Sequence, residues 1–162
     1  SNSALRSAFP FNWWPSFLLS LAVCARLLAA EPRPDPSKVE VAPTRTSIYV
    51  GLVSLTTPDF VRQGDRFEST YTAKVFPYFF ANENGRLGID FNADQLARLT
   101  RGETVEFTGS ATNHEGQSRR LEGKATPADA LQGKLKVRVE VSPKIELIFN
   151  TTYRFKARPD EA

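Results

Sequence analysis

Gly133-Lys134-Leu135-Lys136-Val137-Arg138-Val139-Glu140-Val141 alternates apolar and charged residues without a fault. Successive side chains of an extended strand point to opposite faces. Leu135, Val137, Val139 and Val141 therefore share one face, and Lys134, Lys136, Arg138 and Glu140 share the other. One dry face and one wet face is the habit of antiparallel sheets. This stretch sets the fold class, and the same pattern spreads from it in both directions.

Downstream, Ser142-Pro143-Lys144 turns the chain, and Ile145, Leu147, Phe149, Thr151, Tyr153 and Phe155 mark the inner face of a last strand. Upstream, Glu103 to Thr112 and Gln117 to Thr126 flank the hairpin turn Asn113-His114-Glu115-Gly116. Arg66 to Phe76 puts Phe67, Ser69, Tyr71, Ala73 and Val75 on one face, after a turn at Gln63-Gly64-Asp65. Ser47 to Leu55 reads as one strand ending at Thr56-Thr57-Pro58. Asn82-Glu83-Asn84-Gly85 reads as a tight turn, because Asn-Gly takes the positive φ of hairpin loops, and Arg86 to Phe91 returns from it. In Thr126-Pro127-Ala128-Asp129, Pro127 suits the first position of a helical turn.

One longer helix is expected. Asn92 caps it, Gln95 completes a capping box, Leu96 and Leu99 form a short apolar stripe, and Gly102 ends it. The expected fold is all-β and mostly antiparallel, with seven or eight strands in a sandwich or small closed barrel and one short helix near residues 92–100.

The ends of the chain read differently. Arg6 precedes the apolar run Phe17-Leu18-Leu19-Ser20-Leu21-Ala22-Val23, and Leu27-Leu28-Ala29-Ala30 follows. Residues 1–30 thus read as an export signal, which places the domain in the periplasm or cell envelope. The alternative is an uncleaved membrane anchor over residues 9–30, with Trp13 and Trp14 at the interface. That window reaches the roughly 20 residues a span needs, but it carries Pro10, Asn12, Pro15 and Arg26. Leu21-Ala22-Val23-Cys24 resembles a lipoprotein box and makes Cys24 a candidate lipidation site, although Val23 stands where a small residue is usual. Residues 31–45, with Pro32, Pro34, Pro36 and Pro43, read as a Pro-rich tether. The β domain then covers 46–155, and 156–162 form a disordered tail.

The chain has 162 residues and a formal net charge of +3. Two of the 21 basic residues, Arg6 and Arg26, lie in the acid-free first thirty, so the remainder is close to neutral. Basic and acidic residues alternate there, which argues against a nucleic-acid partner. Beyond Cys24 there is no cysteine, hence no disulfide, thiol nucleophile or cysteine metal site.

No catalytic set emerges. His114, the only histidine, falls in an exposed turn, where a general base has neither a positioned partner nor shelter from water. One histidine and scattered carboxylates give no metal spacing, and no phosphate-binding or nucleophile-elbow motif occurs, so neither cofactor nor metal is expected. The unusual segment is Phe76-Pro77-Tyr78-Phe79-Phe80. Four aromatics in five residues cannot share one sheet face. They read either as a core plug at a sheet corner or as a contact site for an apolar ligand or protein partner, with Tyr78, Phe79 and Phe80 the candidate residues. The expected function is a non-catalytic, exported domain that binds an apolar or amphiphilic molecule or an envelope protein. The alternatives are a structural subunit of an envelope assembly and a small outer-membrane barrel. The last is suggested by the aromatic-ended strand Ile145–Phe155.

Overall fold

The period-two alternation is realised along most of the described residues. The computed structural model describes residues 34–158. The strands are β1 (Pro34–Val41), β2 (Thr44–Ile48), β3 (Gly51–Thr56), β4 (Phe60–Gln63), β5 (Arg66–Phe76) and β6 (Glu83–Asp90), then, after helix α1 (Ala93–Thr100), β7 (Val105–Asn113), β8 (Ser118–Pro127), β9 (Gln132–Ser142) and β10 (Ile145–Ala157). From β5 to β10 each strand pairs antiparallel with the next. β10 then pairs with β1, and β1 with β4, so the sheet closes on itself. The result is a closed eight-stranded barrel in which two staves are interrupted.

The interruptions have local causes. β1 and β2 form one stave, bent at Ala42-Pro43. The Ala42 N–H donates to the Thr152 carbonyl at 3.0 Å, and the Thr44 hydroxyl donates to the Asn150 carbonyl at 2.8 Å, so both halves follow β10. β3 and β4 form the next stave, broken at Thr57-Pro58-Asp59, where proline cannot donate to the ladder. β3 pairs with the second half of β5 and β4 with the first. Closure removes the unpaired edges that an open sheet would expose.

Several expectations need correction. Residues 34–41 are not a tether. They are the stave that closes the barrel, because Val39 and Val41 pack on the core and the register shift between Asp35 and Val39 absorbs Pro36. The Asp35 carboxylate stabilises that irregularity by accepting from the Ser37 N–H (2.9 Å) and hydroxyl (2.6 Å). Ser47–Leu55 is not one strand but a hairpin that turns at Tyr49-Val50. Asn82–Gly85 is not the turn: the turn precedes it, and Glu83, Asn84 and Gly85 already pair with β5. Gly85 serves close approach, since a Cβ there would sit 2.0 Å from the Thr112 carbonyl oxygen. Thr126–Asp129 forms no helical turn. Pro127 ends β8, and Asp129 Oδ1 instead accepts from the Leu131 and Gln132 N–H groups in a β-turn-like connection. β10 runs to Ala157, into the expected tail.

The helix forms as the capping box dictates: Asn92 and Gln95 bond reciprocally at 2.8 Å. Its Leu99 is buried, and Leu96 packs against the same core. α1 thereby closes one end of the barrel.

A cavity behind an aromatic lip

An eight-stranded barrel has just enough interior for its own side chains or for one small ligand. Which of the two occurs depends on side-chain size, and size changes along the staves. Toward α1 the inward residues are large: Phe60, Phe67, Phe91, Phe107, Tyr153 and Phe155 are all buried in one cluster. Phe67, Phe91 and Phe107 meet edge to face, with centroids about 6.1–6.2 Å apart. Gly123 lies opposite Phe107, and a Cβ there would come within 2.2 Å of its ring, so the glycine makes room for the aromatic. Burial pushes the Tyr153 hydroxyl up to about 12. Only about 60 Å³ of void is left at this end.

Toward the other end the inward residues shrink to Val53, Ala73, Val75, Ala111, Leu121, Val137 and Val139. Small side chains on the same backbone radius leave space, and here they leave a cavity of about 450 Å³. Its wall is mostly aliphatic, with Phe149 on β10 and, at the floor, Phe60 and Phe107 as its phenylalanine rings, and it reaches the mouth at Ile48, Ala81, Val141 and Ile145. A second depression, on the outside of β7–β9, is lined mainly by polar and charged side chains of both signs, among which Lys124 pairs with Glu106 at 3.3 Å.

One polar cluster faces the cavity. Glu83 opens β6, Tyr71 comes from β5, Arg119 from β8 and Asn113 from the end of β7. The Arg119 guanidinium donates to both Glu83 carboxylate oxygens, at 3.1 and 2.5 Å, and to the Val141 carbonyl at 2.9 Å. The Tyr71 hydroxyl donates to Glu83 at 2.5 Å, and the Asn113 amide at 3.3 Å. Burial alone would raise the Glu83 carboxyl, but the bonds from Arg119, Tyr71 and Asn113 outweigh it and lower the group to about 2. Burial and the adjacent carboxylate push the Tyr71 hydroxyl well above the usual phenol range. The bond to Glu83 likewise raises Arg119. The cluster is thus a charge-neutralised pair, with the Arg119 charge committed to Glu83.

The sequence-singled aromatics do not line this cavity, nor do they plug the core. Tyr78, Phe79 and Phe80 occupy the connection between β5 and β6 and are 38, 63 and 90% exposed. They pack on one another and on Phe76 in two edge-to-face pairs, Phe76 with Phe79 and Tyr78 with Phe80. A single 3-10 turn over Phe79–Ala81 and the Asn82 side chain, which accepts from the Val75 N–H at 2.8 Å, fix the loop. The β2–β3 turn beside it exposes Tyr49 (98%) and Val50. Gly51 packs against Phe76 and Pro77, which joins the two loops. Ile145 adds a third apolar tip from the β9–β10 turn. His114 lies on the fourth turn at this end, exposed, with Nε2 4.0 Å from Glu115.

The Glu83–Arg119–Tyr71 cluster was not singled out from sequence. Its one signal was polar residues at inward positions, Tyr71 on β5 among them, and pairing three strands apart in the chain cannot be read from periodicity. Among the described residues no group of three or more histidine, cysteine or carboxylate side chains is gathered for a metal. Cys24 and the export segment lie outside the described residues. Comparison with family models, curated proteins and solved structures finds no match.

Proposed function

We propose that this protein binds one apolar or amphiphilic small molecule inside the barrel, without catalysis, and that it works in the cell envelope after export. The observation that carries the reading is the aliphatic cavity of about 450 Å³, open at one end and lined by a single polar cluster. Ligand sites are concave, mostly apolar, about 300–1,000 Å³ in volume, and carry few polar groups. Because Arg119 is already held in a bidentate pair with Glu83, the cavity offers no uncommitted cation to a ligand carboxylate. A neutral ligand, with at most an uncharged polar end near Glu83 and Tyr71, suits it better. The sidedness of the barrel weighs against the outer-membrane alternative: Lys134, Lys136 and Arg138 face outward and Leu135 and Val137 inward, the reverse of a lipid-embedded barrel. The aromatic loop serves entry here rather than holding the ligand.

The test is titration with N-phenyl-1-naphthylamine, a neutral apolar dye that brightens in dry surroundings. Saturable one-to-one binding that Val139→Phe abolishes while the fold is kept supports the reading. Absence of saturable binding, together with a bare mass in native mass spectrometry of protein taken from its producing cells, overturns it. Amino-terminal sequencing of the same material reports whether residues 1–30 have been removed.

A further inference from the structure

The aromatic lip has a chemistry of its own. Tyr49, Val50, Phe76, Phe79, Phe80 and Ile145 project from three neighbouring turns at the cavity mouth. Of the other exposed large apolar residues among those described, only Val61 lies at the opposite end. Exposed apolar clusters of this kind mark contact surfaces. Within the three tips the charges have one sign, and the carboxylates flanking the β9–β10 tip, Glu140 and Glu146, lie one step down the barrel wall, where Glu146 pairs with Arg138. No carboxylate occurs in residues 41–58, 69–82 or 141–145, the segments that build the three tips, and the charged residues there are Arg45, Lys74 and Lys144. All three are exposed, and among the described residues no carboxylate pairs with them. The fourth turn, with Glu115, is polar and bounds the arc.

We infer that the lip docks on an anionic lipid surface, with the aromatic tips in the headgroup region, the three cations on lipid phosphates, and the cavity mouth turned toward the bilayer. Amphipathic aromatic rings settle at the membrane interface, and each basic residue near an anionic leaflet strengthens attachment. A second copy of the chain fits less well, because a two-fold face-to-face contact would set Arg45, Lys74 and Lys144 against the same cations. The inference stands on the lip alone and does not need the cavity to be occupied.

The experiment uses the full chain with Cys24→Ser and one new cysteine labelled with bimane, either Phe80→Cys at the lip or Asp94→Cys on α1 as reference. A label-specific readout registers lip insertion however residues 1–30 behave. Vesicles of phosphatidylcholine mixed with phosphatidylglycerol should blue-shift the label at 80 and leave that at 94 unchanged, with a weaker effect from phosphatidylcholine alone. Arg45→Gln, Lys74→Gln and Lys144→Gln should each raise the lipid concentration for half-maximal shift by about fivefold. No shift at 80 on anionic vesicles, equal shifts at 80 and 94, or indifference to all three substitutions overturns the inference. A shift at 80 that grows with protein concentration without lipid overturns it in favour of self-association. Naphthylamine titration of the same variants without vesicles separates the two proposals, since docking can fail with cavity binding intact, and the reverse.

Discussion

The two ends of this barrel share one backbone and differ in what fills it. At the α1 end six large aromatic side chains close the interior to about 60 Å³ of void, and the helix lies over them. At the far end valine, alanine and leucine predominate on the same staves, with Phe149 and Tyr71 the inward aromatics, and leave about 450 Å³, while a cluster of further aromatics stands outside on the loops. The comparison teaches that barrel geometry sets an interior volume and residue size decides whether it is a core or a site. The closed end supplies stability, and the open end is spared from having to do so.

Aromatic truncation should separate the ends most sharply. Phe107→Ala is expected to cost about 3–5 kcal/mol in urea unfolding, as large core deletions do. Phe80→Ala, at the lip, should stay within about 0.5 kcal/mol. Equal losses would break the comparison.

The polar cluster offers the next test. The Glu83 carboxyl is lowered to about 2 when folded, against an ordinary 4.5. A lowered folded pKa contributes stability above the unfolded value and loses it as pH falls toward the folded one. The shift corresponds to about 3 kcal/mol, present at neutral pH and withdrawn between pH 4.5 and 2. Glu83→Gln should lose most of that stability at pH 7 and show a flatter acid limb in pH-dependent denaturation. An unchanged limb would mean that the pair contributes little.

Enlarging side chains sharpens the contrast further. Ala125→Phe, in the filled half, should cost about 1–3 kcal/mol by overpacking. Val139→Phe, toward the cavity, should change thermal stability by less than about 1 kcal/mol, or raise it, because there is space to take. Asn92→Ala should remove the helix cap for about 1 kcal/mol and leave naphthylamine binding untouched, since α1 closes the opposite end.

Much of this is legible in the sequence, and where local pattern misleads the cause is physical. The faces of β5, β9 and β10, and the capping box of α1, follow from local rules, period-two burial and a reciprocal side-chain bond, so the residues involved announced them. β1 reads as a tether because Pro34 and Pro36 give its segment the composition of a linker. Its pairing with β10 joins residues more than a hundred positions apart, as in Val41 with Tyr153, and no local pattern carries that. The Asn84-Gly85 pair misled for a related reason. Its glycine answers to a neighbouring backbone at Thr112, not to a turn. The aromatic segment was recognised as unusual, but its place, on the rim and outside the cavity, depends on which loops meet at the mouth.

By itself, then, the sequence determined an antiparallel all-β domain with a dry face on each strand and one short capped helix, because alternation and capping act between residues close in the chain. Closure into a barrel, the size gradient that leaves a cavity, the joining of Glu83 to Arg119 and Tyr71, and the gathering of three apolar tips into one lip were decided only by tertiary structure. Each needs strands distant in sequence to be brought into register around a common interior.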